Sequence, residues 1–443
     1  MSIKSKFLPV GLFIIVIASG GLSGCGNSNS GPKDGGLPDG ALPPDGGNPD
    51  GGNPDGGNPD GGNPDGSLAD AGANDSGGTQ PGEALVWVQV TDDHQSRGSC
   101  DNKGHLAAWQ AALTYIHDVI KPSFVVNTGD LADDECPAGQ HQADWDDYHT
   151  GVINAGFTSA NYYDMVGNHD AHGDPTYAGY LANSISGADG QTMHTWTRQV
   201  GSYTYSFIGT LTAIAGQVGG SFLQPAYDWT KTQLVAANNN TNVFVFAHHA
   251  DFELFHCTYK KLDVDTGLLG SGGLLDTYHV TAYVAGHVHI DCENAEWNSY
   301  AITTYNEFFG EENIPPDHSG RMRIFVLTGS IWANRPKFIV GHGSQVIISY
   351  PQDKRLAVPR SPSGHEVTGK TTIVAKAFSS TTASLQMTVD SGTAIPMTTA
   401  DNLTYQAQFD FGTVAAGTHT IAVQDLNNSD ATNGQDTITV VSH

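Results

Sequence analysis

Basic residues are scarce in this chain: 19 Lys and Arg stand against 46 Asp and Glu, a formal net charge of −27. Nucleic-acid backbones are gripped by clustered cations, so no standing nucleic-acid partner is expected. Cysteine is also rare, five in 443 residues with no CxxC spacing, which demotes thiolate metal sites. The apolar run from Phe7 to Ala18 is too short to cross a bilayer. Apolar residues make up 38% and aromatics 9%, but the depletion sits in the first eighty residues. The remainder can build ordinary cores, and the length suits two folded units plus unstructured segments.

Lys4 and Lys6, the following apolar run and Leu22-Ser23-Gly24-Cys25 have the layout of a secretory signal peptide. The ending resembles a bacterial lipobox, whose cysteine is lipidated and becomes the mature N-terminus. Residues 1–25 are expected to be that leader, with Cys25 as a lipid anchor in a membrane. Asn27 follows where an acid does not, which by analogy with lipoprotein sorting leans toward the outer membrane or cell surface. Residues 26–82 are rich in Gly, Pro, Asp and Asn, with Asn-Pro-Asp-Gly-Gly recurring at Asn48, Asn53 and Asn58. With nothing to bury, this segment reads as a disordered tether with a root-mean-square span of roughly 40 Å.

From Glu83 the texture changes. Ala84 to Thr91 is a β-branched and aromatic run that stops at Asp92-Asp93-His94, and the pattern repeats. Ser123 to Thr128 runs into Gly129-Asp130, and Asn161 to Val166 into Gly167-Asn168-His169-Asp170. Asn242 to Ala247 leads to His248-His249, and Thr281 to Ala285 to Gly286-His287-Val288-His289. Helical stretches lie between, notably Leu106 to Ile120, ended by Pro122, and Tyr227 to Ala237. This is an α/β layout, in which polar clusters at strand ends converge on one site. Tyr300 to Tyr350 is strand-rich, including Arg323 to Thr328 and Gln345 to Tyr350, as for a sheet closing the domain. After Pro351 the chain turns to short alternating strands, Thr371 to Phe378, Ala383 to Val389, Leu403 to Phe409 and Thr418 to Val423, which predict a β-sandwich. That region has no cysteine and only His365, His419 and His443, so no catalytic chemistry is expected there.

Hard and borderline ligands, a carboxylate able to bridge two ions and a histidine able to move a proton together suit metal-assisted phosphoester hydrolysis. Each cluster alone is a weak signal, because Asp-x-His or Gly-His-x-His arises often by chance. Their order, each at the end of an apolar run, is specific. Arg97, His172 and His249 are candidate substrate contacts, and Asp93 is expected to be solvated. Cys100, Cys136, Cys257 and Cys292 form an even set, consistent with two disulfides in an oxidising compartment. Cys100 with Cys136 and Cys257 with Cys292 is the preferred pairing, since each follows a cluster closely; free thiols or metal-bound thiolates are the alternatives.

This succession, above all Gly-Asn-His-Asp with Gly-His-Val-His, resembles the calcineurin-like metallophosphoesterases over roughly Leu85 to Tyr350. The resemblance implies two facing mixed β-sheets flanked by helices over residues 83–350, followed by a small all-β immunoglobulin-like sandwich over 351–443. It implies that Asp92, His94 and His289 bind one metal, that Asn168, His248 and His287 bind another, and that Asp130 bridges both. His169 would steady or protonate the leaving oxygen, with Asp170 orienting it. A metal-bridging hydroxide would attack phosphorus directly. The two ions would be Mn, Fe, Zn, Co or Ni. Where the family often has proline two places after its second-site histidine, this chain has His248-His249-Ala250, so either histidine could be the ligand; motif alignment favours His248. A phosphoesterase unit followed by a β-sandwich is also similar to the arrangement in transmembrane protein 62 relatives. Substrate class stays open among monoesters, cyclic or linear diesters, pyrophosphates and phosphoproteins. The rival outside enzymes is a surface-binding protein with a structural metal site.

Overall fold

The computed structural model describes residues 83–443 except 96–105, 133–140, 251–271, 297–298, 304–319, 340–342 and positions 173, 175, 218 and 290. Cys25, Arg97, Cys100, Cys136 and Cys257 lie outside the described residues, as do the leader and the spacer. Cys292 is half of a disulfide whose other half also lies outside them.

β1 (Leu85–Val90) is buried at all of its positions, which is why it reads as a continuous apolar run rather than an alternation. Leu85 and Trp87 enter one core, while Val86, Val88 and Val90 enter another on the opposite face. β2 (Phe124–Asn127) and β3 (Tyr162–Asp164) continue the sheet in parallel. Next come the hairpin β4 (His194–Val200) and β5 (Tyr203–Gly209), then β6 (Asn242–Phe246), β7 (Ala282–Ala285), β8 (Cys292–Glu296) and β9 (Ser299–Thr303). β10 (Arg321–Thr328) and β11 (Ile331–Phe338) return to the first sheet. The resulting orders are β11-β10-β1-β2-β3 and β4-β5-β6-β7-β9-β8, both with parallel and antiparallel pairs.

The sheets face each other across an aromatic core. Trp87 stacks on Phe325 at 3.7 Å between centroids and meets Phe244 and Phe246 edge-on at 5.5 and 5.4 Å. Such pairs add to the burial of large apolar area. Helices Leu106–Tyr115 and His141–Asn154 pack into the core on the outer face of the first sheet, and Gln224–Ala237 packs against the second. The helix expected to reach Ile120 keeps α geometry only to Tyr115. It then widens into a π turn and stops at Lys121, φ 53°, where Pro122 disfavours helical geometry in the residue before it.

β12 (Gln345–Tyr350) does not close the α/β half, as the sequence pattern suggested. It pairs with β14 in the C-terminal sandwich, formed by β12, β13 (Glu366–Val367), β14 (Lys370–Phe378), β15 (Leu385–Val389), β16 (Ile395–Pro396), β17 (Thr398–Thr399), β18 (Thr404–Asp410), β19 (Gly417–Asp425) and β20 (Gln435–Ser442). Its sheets run β12-β14-β18-β17 and β13-β20-β19-β15-β16. Val346 and Ile348 point into the sandwich core while Ile347 points into the helix-side core of the α/β half. Both faces are buried, so an apolar run could belong to either neighbour. Among the described residues no helix is long and apolar enough to cross a membrane.

In the sandwich, His419 Nδ1 lies 2.6 Å from Asp390 Oδ2 and Nε2 lies 2.9 Å from Ser442 Oγ, the order of groups in a hydrolytic triad. Nε2 also lies 3.0 Å from the Ala415 carbonyl oxygen, which can only accept. That position calls for an N–H, and a nitrogen already carrying hydrogen cannot take one from Ser442. The cluster pins strands together.

Charged side chains join the sandwich to β11. Arg335 Nε lies 2.5 Å from Asp436 and its Nη2 lies 3.2 Å from Asp353. Lys337, 2% exposed, donates from Nζ to the carbonyls of Thr432, Asn433 and Gln435. Burial lowers this ammonium from 10.5 to about 8. The folded chain therefore releases between pH 8 and 10.5 a proton that the unfolded chain keeps, so stability rises with pH across that window. Against Lys337→Met, the wild type should gain about 3 kcal/mol over that range by urea denaturation. A constant difference would show that the ammonium is not buried as described.

Candidate metal centre

β1, β2 and β3 are parallel, so Thr91–His94, Thr128–Asp130 and Met165–Asp170 emerge at one edge of the first sheet; β6 and β7, also parallel, deliver His248-His249 and His287–His289. Backbone hydrogen bonds tie the loops in register: Asp92 N–H donates to Gly129 O and His94 N–H to Asp130 O, each at 2.9 Å. Asp92, His94, Asp130, His287 and His289 all have positive φ, between 42° and 68°, a region that non-glycine residues rarely occupy. Strained backbone concentrated at converging side chains marks a functional site. The motif glycines allow the approach. A Cβ on Gly167 would collide with the backbone N and Oδ1 of Asp130, and one on Gly286 with Thr91 and Asp92.

The side chains meet in two overlapping groups. In the first, His289 Nε2 is 3.2 Å from Asp92 Oδ1 and 3.4 Å from His94 Nε2. In the second, His248 Nε2 is 3.0 Å from Asp130 Oδ2 and 2.9 Å from Asn168 Oδ1. Asp130 Oδ2 is also 3.7 Å from His94 Nε2, so one carboxylate touches both groups. The donor set fits cations. His248 Nδ1–H donates to the Thr128 carbonyl at 2.9 Å, leaving the Nε2 lone pair facing two oxygens. Converging acceptors with no hydrogen to share are satisfied by a metal ion, and Asp, Asn and His suit divalent transition metals.

The sequence comparisons coincide with this site. Residues 87–291 match the calcineurin-like phosphoesterase family. Over that stretch the chain resembles a calcineurin-like phosphoesterase domain. A segment is 26% identical over 141 residues to mouse transmembrane protein 62, covering 29% of this chain and 21% of that protein. Among solved structures, a Staphylococcus aureus protein provisionally assigned as a 5′-nucleotidase aligns over 58% of this chain and 55% of its own, at 15% identity and TM-score 0.37. GAP50, the anchor in the inner membrane complex of Plasmodium, aligns over 58% of this chain and 85% of its own, at 14% identity and TM-score 0.38. The chain thus spans about a fifth of that curated relative and about half of the first of those structures.

Charge in the site is balanced by proximity. Burial would raise Asp92, but His289, then His248, bring it down to about 2. Burial opposes ionisation of Asp130 too, yet His248, His169 and His94 hold it well below the usual carboxylate range. Burial lowers His94 to about 4 and, with His248 beside it, His287 to about 4, keeping both rings neutral and able to coordinate.

His169 sits with its ring centroid 4.5 Å from His94, and its backbone N–H donates to Asp130 Oδ1 at 2.9 Å. Asp170 does not orient the His169 ring as the motif suggested. Its Oδ1 accepts from the N–H groups of Leu131 and Ala132 and its Oδ2 from that of Gly167, at 2.8–3.0 Å. It clamps the Gly-Asp loop to the Gly-Asn-His-Asp loop, and acts on His169 through backbone. Asp93 is not solvated but fully buried against Asn127, and burial pushes its carboxyl well above the ordinary value. Its neighbours Asp92 and His94, both in the left-handed region beyond the end of β1, turn to the site while Asp93 turns inward to Asn127. His172 is exposed at the end of the short helix Asn168–His172 and joins none of the ligand groups. Thr212 and Gly220, which pack against His249, carried no sequence signal because neither belongs to a motif.

Proposed function

We propose that this protein is an exported phosphoesterase working at a two-cation site. The observation that carries the reading is Asp130 Oδ2, which faces His248 on one side and His94 on the other. Asp92, His94 and His289 would hold one cation, Asn168, His248 and His287 the other, with Asp130 shared. Cations held there would supply Lewis acidity for the phosphoryl oxygens and acidify the attacking water near neutral pH. Asp170 keeps the two loops, and so the ligands, in register. His169, beside both Asp130 and His94, is placed to hold or deliver a proton at the leaving oxygen.

Cys25 would carry the lipid that anchors the chain at the envelope, with residues 26–82 as the tether. The C-terminal sandwich would be immunoglobulin-like and serve as a rigid support, since Arg335 and Lys337 fix it to β11. Cys257 is the proposed partner of Cys292, and Cys100 of Cys136.

The test is hydrolysis of para-nitrophenyl phosphate and its bis ester by the full chain, after chelation and after adding back Mn, Zn or Fe. Turnover restored by metal is the expected result, and the preferred ester separates monoesterase from diesterase. Two bound metals without turnover of any phosphoester would favour the binding-protein alternative.

A further inference from the structure

His249 is held in the manner of a ligand. It is 2% exposed and held on three sides. Thr212 Oγ1 lies 3.1 Å from Nδ1 and accepts the His249 backbone N–H at 3.2 Å; the Tyr283 hydroxyl donates to the His249 carbonyl at 2.5 Å. The ring also lies flat against Gly220, where any Cβ would overlap it. Yet Nε2, buried, has no hydrogen-bond partner among the described residues. Leaving a buried polar atom unsatisfied is unfavourable, and a bound cation would relieve it.

What lies around the ring supplies the reason. One nitrogen from each of His248, His249 and His287 lies within 4.8 Å of the other two. The His249 ring centroid is 4.5 Å from that of His287 and 4.9 Å from that of His248. Thr212 Oγ1 can give a hydrogen to Nδ1 or take one from it; when Nδ1–H donates, the Nε2 lone pair is free, the arrangement an outer hydrogen bond gives a metal-bound imidazole. His248 is held on the same side by the Thr128 carbonyl, which can only accept.

We propose that His249 Nε2 is an additional ligand to the cation held by Asn168, His248 and His287, giving that position three imidazoles. The inference rests on the two-cation reading above and adds a selectivity to it. Three imidazoles favour zinc, cobalt or nickel over manganese or magnesium, because nitrogen ligands suit the later borderline ions and oxygen ligands the harder ones.

The experiment is titration of the chelated full-length protein with Zn²⁺ and, separately, Mn²⁺ by calorimetry, comparing wild type with His249→Phe, which keeps the ring volume without a nitrogen. Two equivalents should bind in the wild type. In the variant, Zn²⁺ affinity at one site should fall on the order of 100-fold, with Mn²⁺ affinity there changing only a few-fold. An unchanged Zn²⁺ affinity, or equal losses for both ions, overturns the role of His249 alone. A wild type that binds neither ion overturns the two-cation reading with it. If His249→Phe does not fold, His249→Gln is read by the same criteria.

Discussion

Asp130→Ala is expected to abolish turnover and to strip the protein of metal. The side chain is 1% exposed and its two oxygens do different work. Oδ2 lies between His248 and His94, while Oδ1 accepts the backbone N–H of His169. Removing the carboxylate withdraws a group that touches both ligand sets and leaves Asp92 as the carboxylate that must balance two cations. It also frees the His169 backbone. Metal content by atomic emission should fall well below that of wild type, and kcat/KM by on the order of 10³-fold or more, as when a focal electrostatic group is deleted from a site. A variant that retained both metals would remove Asp130 from the bridging position.

His169→Ala should separate binding from chemistry. Its backbone N–H survives the substitution, so the contact with Asp130 and the metal ligands should persist. The ring, next to His94 and only partly buried, is what disappears. Metal content should match wild type while kcat falls roughly 10²- to 10⁴-fold, the range for a lost general acid. The loss should be larger for an alkyl or phenyl phosphate than for para-nitrophenyl phosphate, whose leaving group needs less protonation. Equal losses across leaving groups would reduce His169 to an electrostatic role, and metal loss equal to that of Asp130→Ala would sink the distinction altogether.

The site was unusually legible because its motifs sit at the ends of runs that are buried on both faces. β1 and β6 are apolar nearly throughout, and the polar residues begin where each strand leaves the sheet. The hairpin β4–β5 and the helix His141–Asn154 gave weaker signals. In β4 buried Trp196 lies among exposed and half-buried neighbours, and the helix mixes acids with aromatics so that no apolar stripe stands out. Asp170 misled for a related reason. A motif records which residues are adjacent in sequence, and the carboxylate's partners, Leu131 and Ala132, come from another strand end.

From the sequence alone follow the α/β layout, the all-β tail, the chemical class of the site and the residues that converge there, since each depends on local periodicity and on residue type. Tertiary structure alone decided the rest. It placed β12 in the sandwich, buried Asp93, turned Asp170 into a clamp, and set Thr212 against the Nδ1 of His249 with its ring beside two other histidines. Alternation along a strand says which side chains share a face. It does not say what that face will meet, because that is set by packing between segments far apart in the chain.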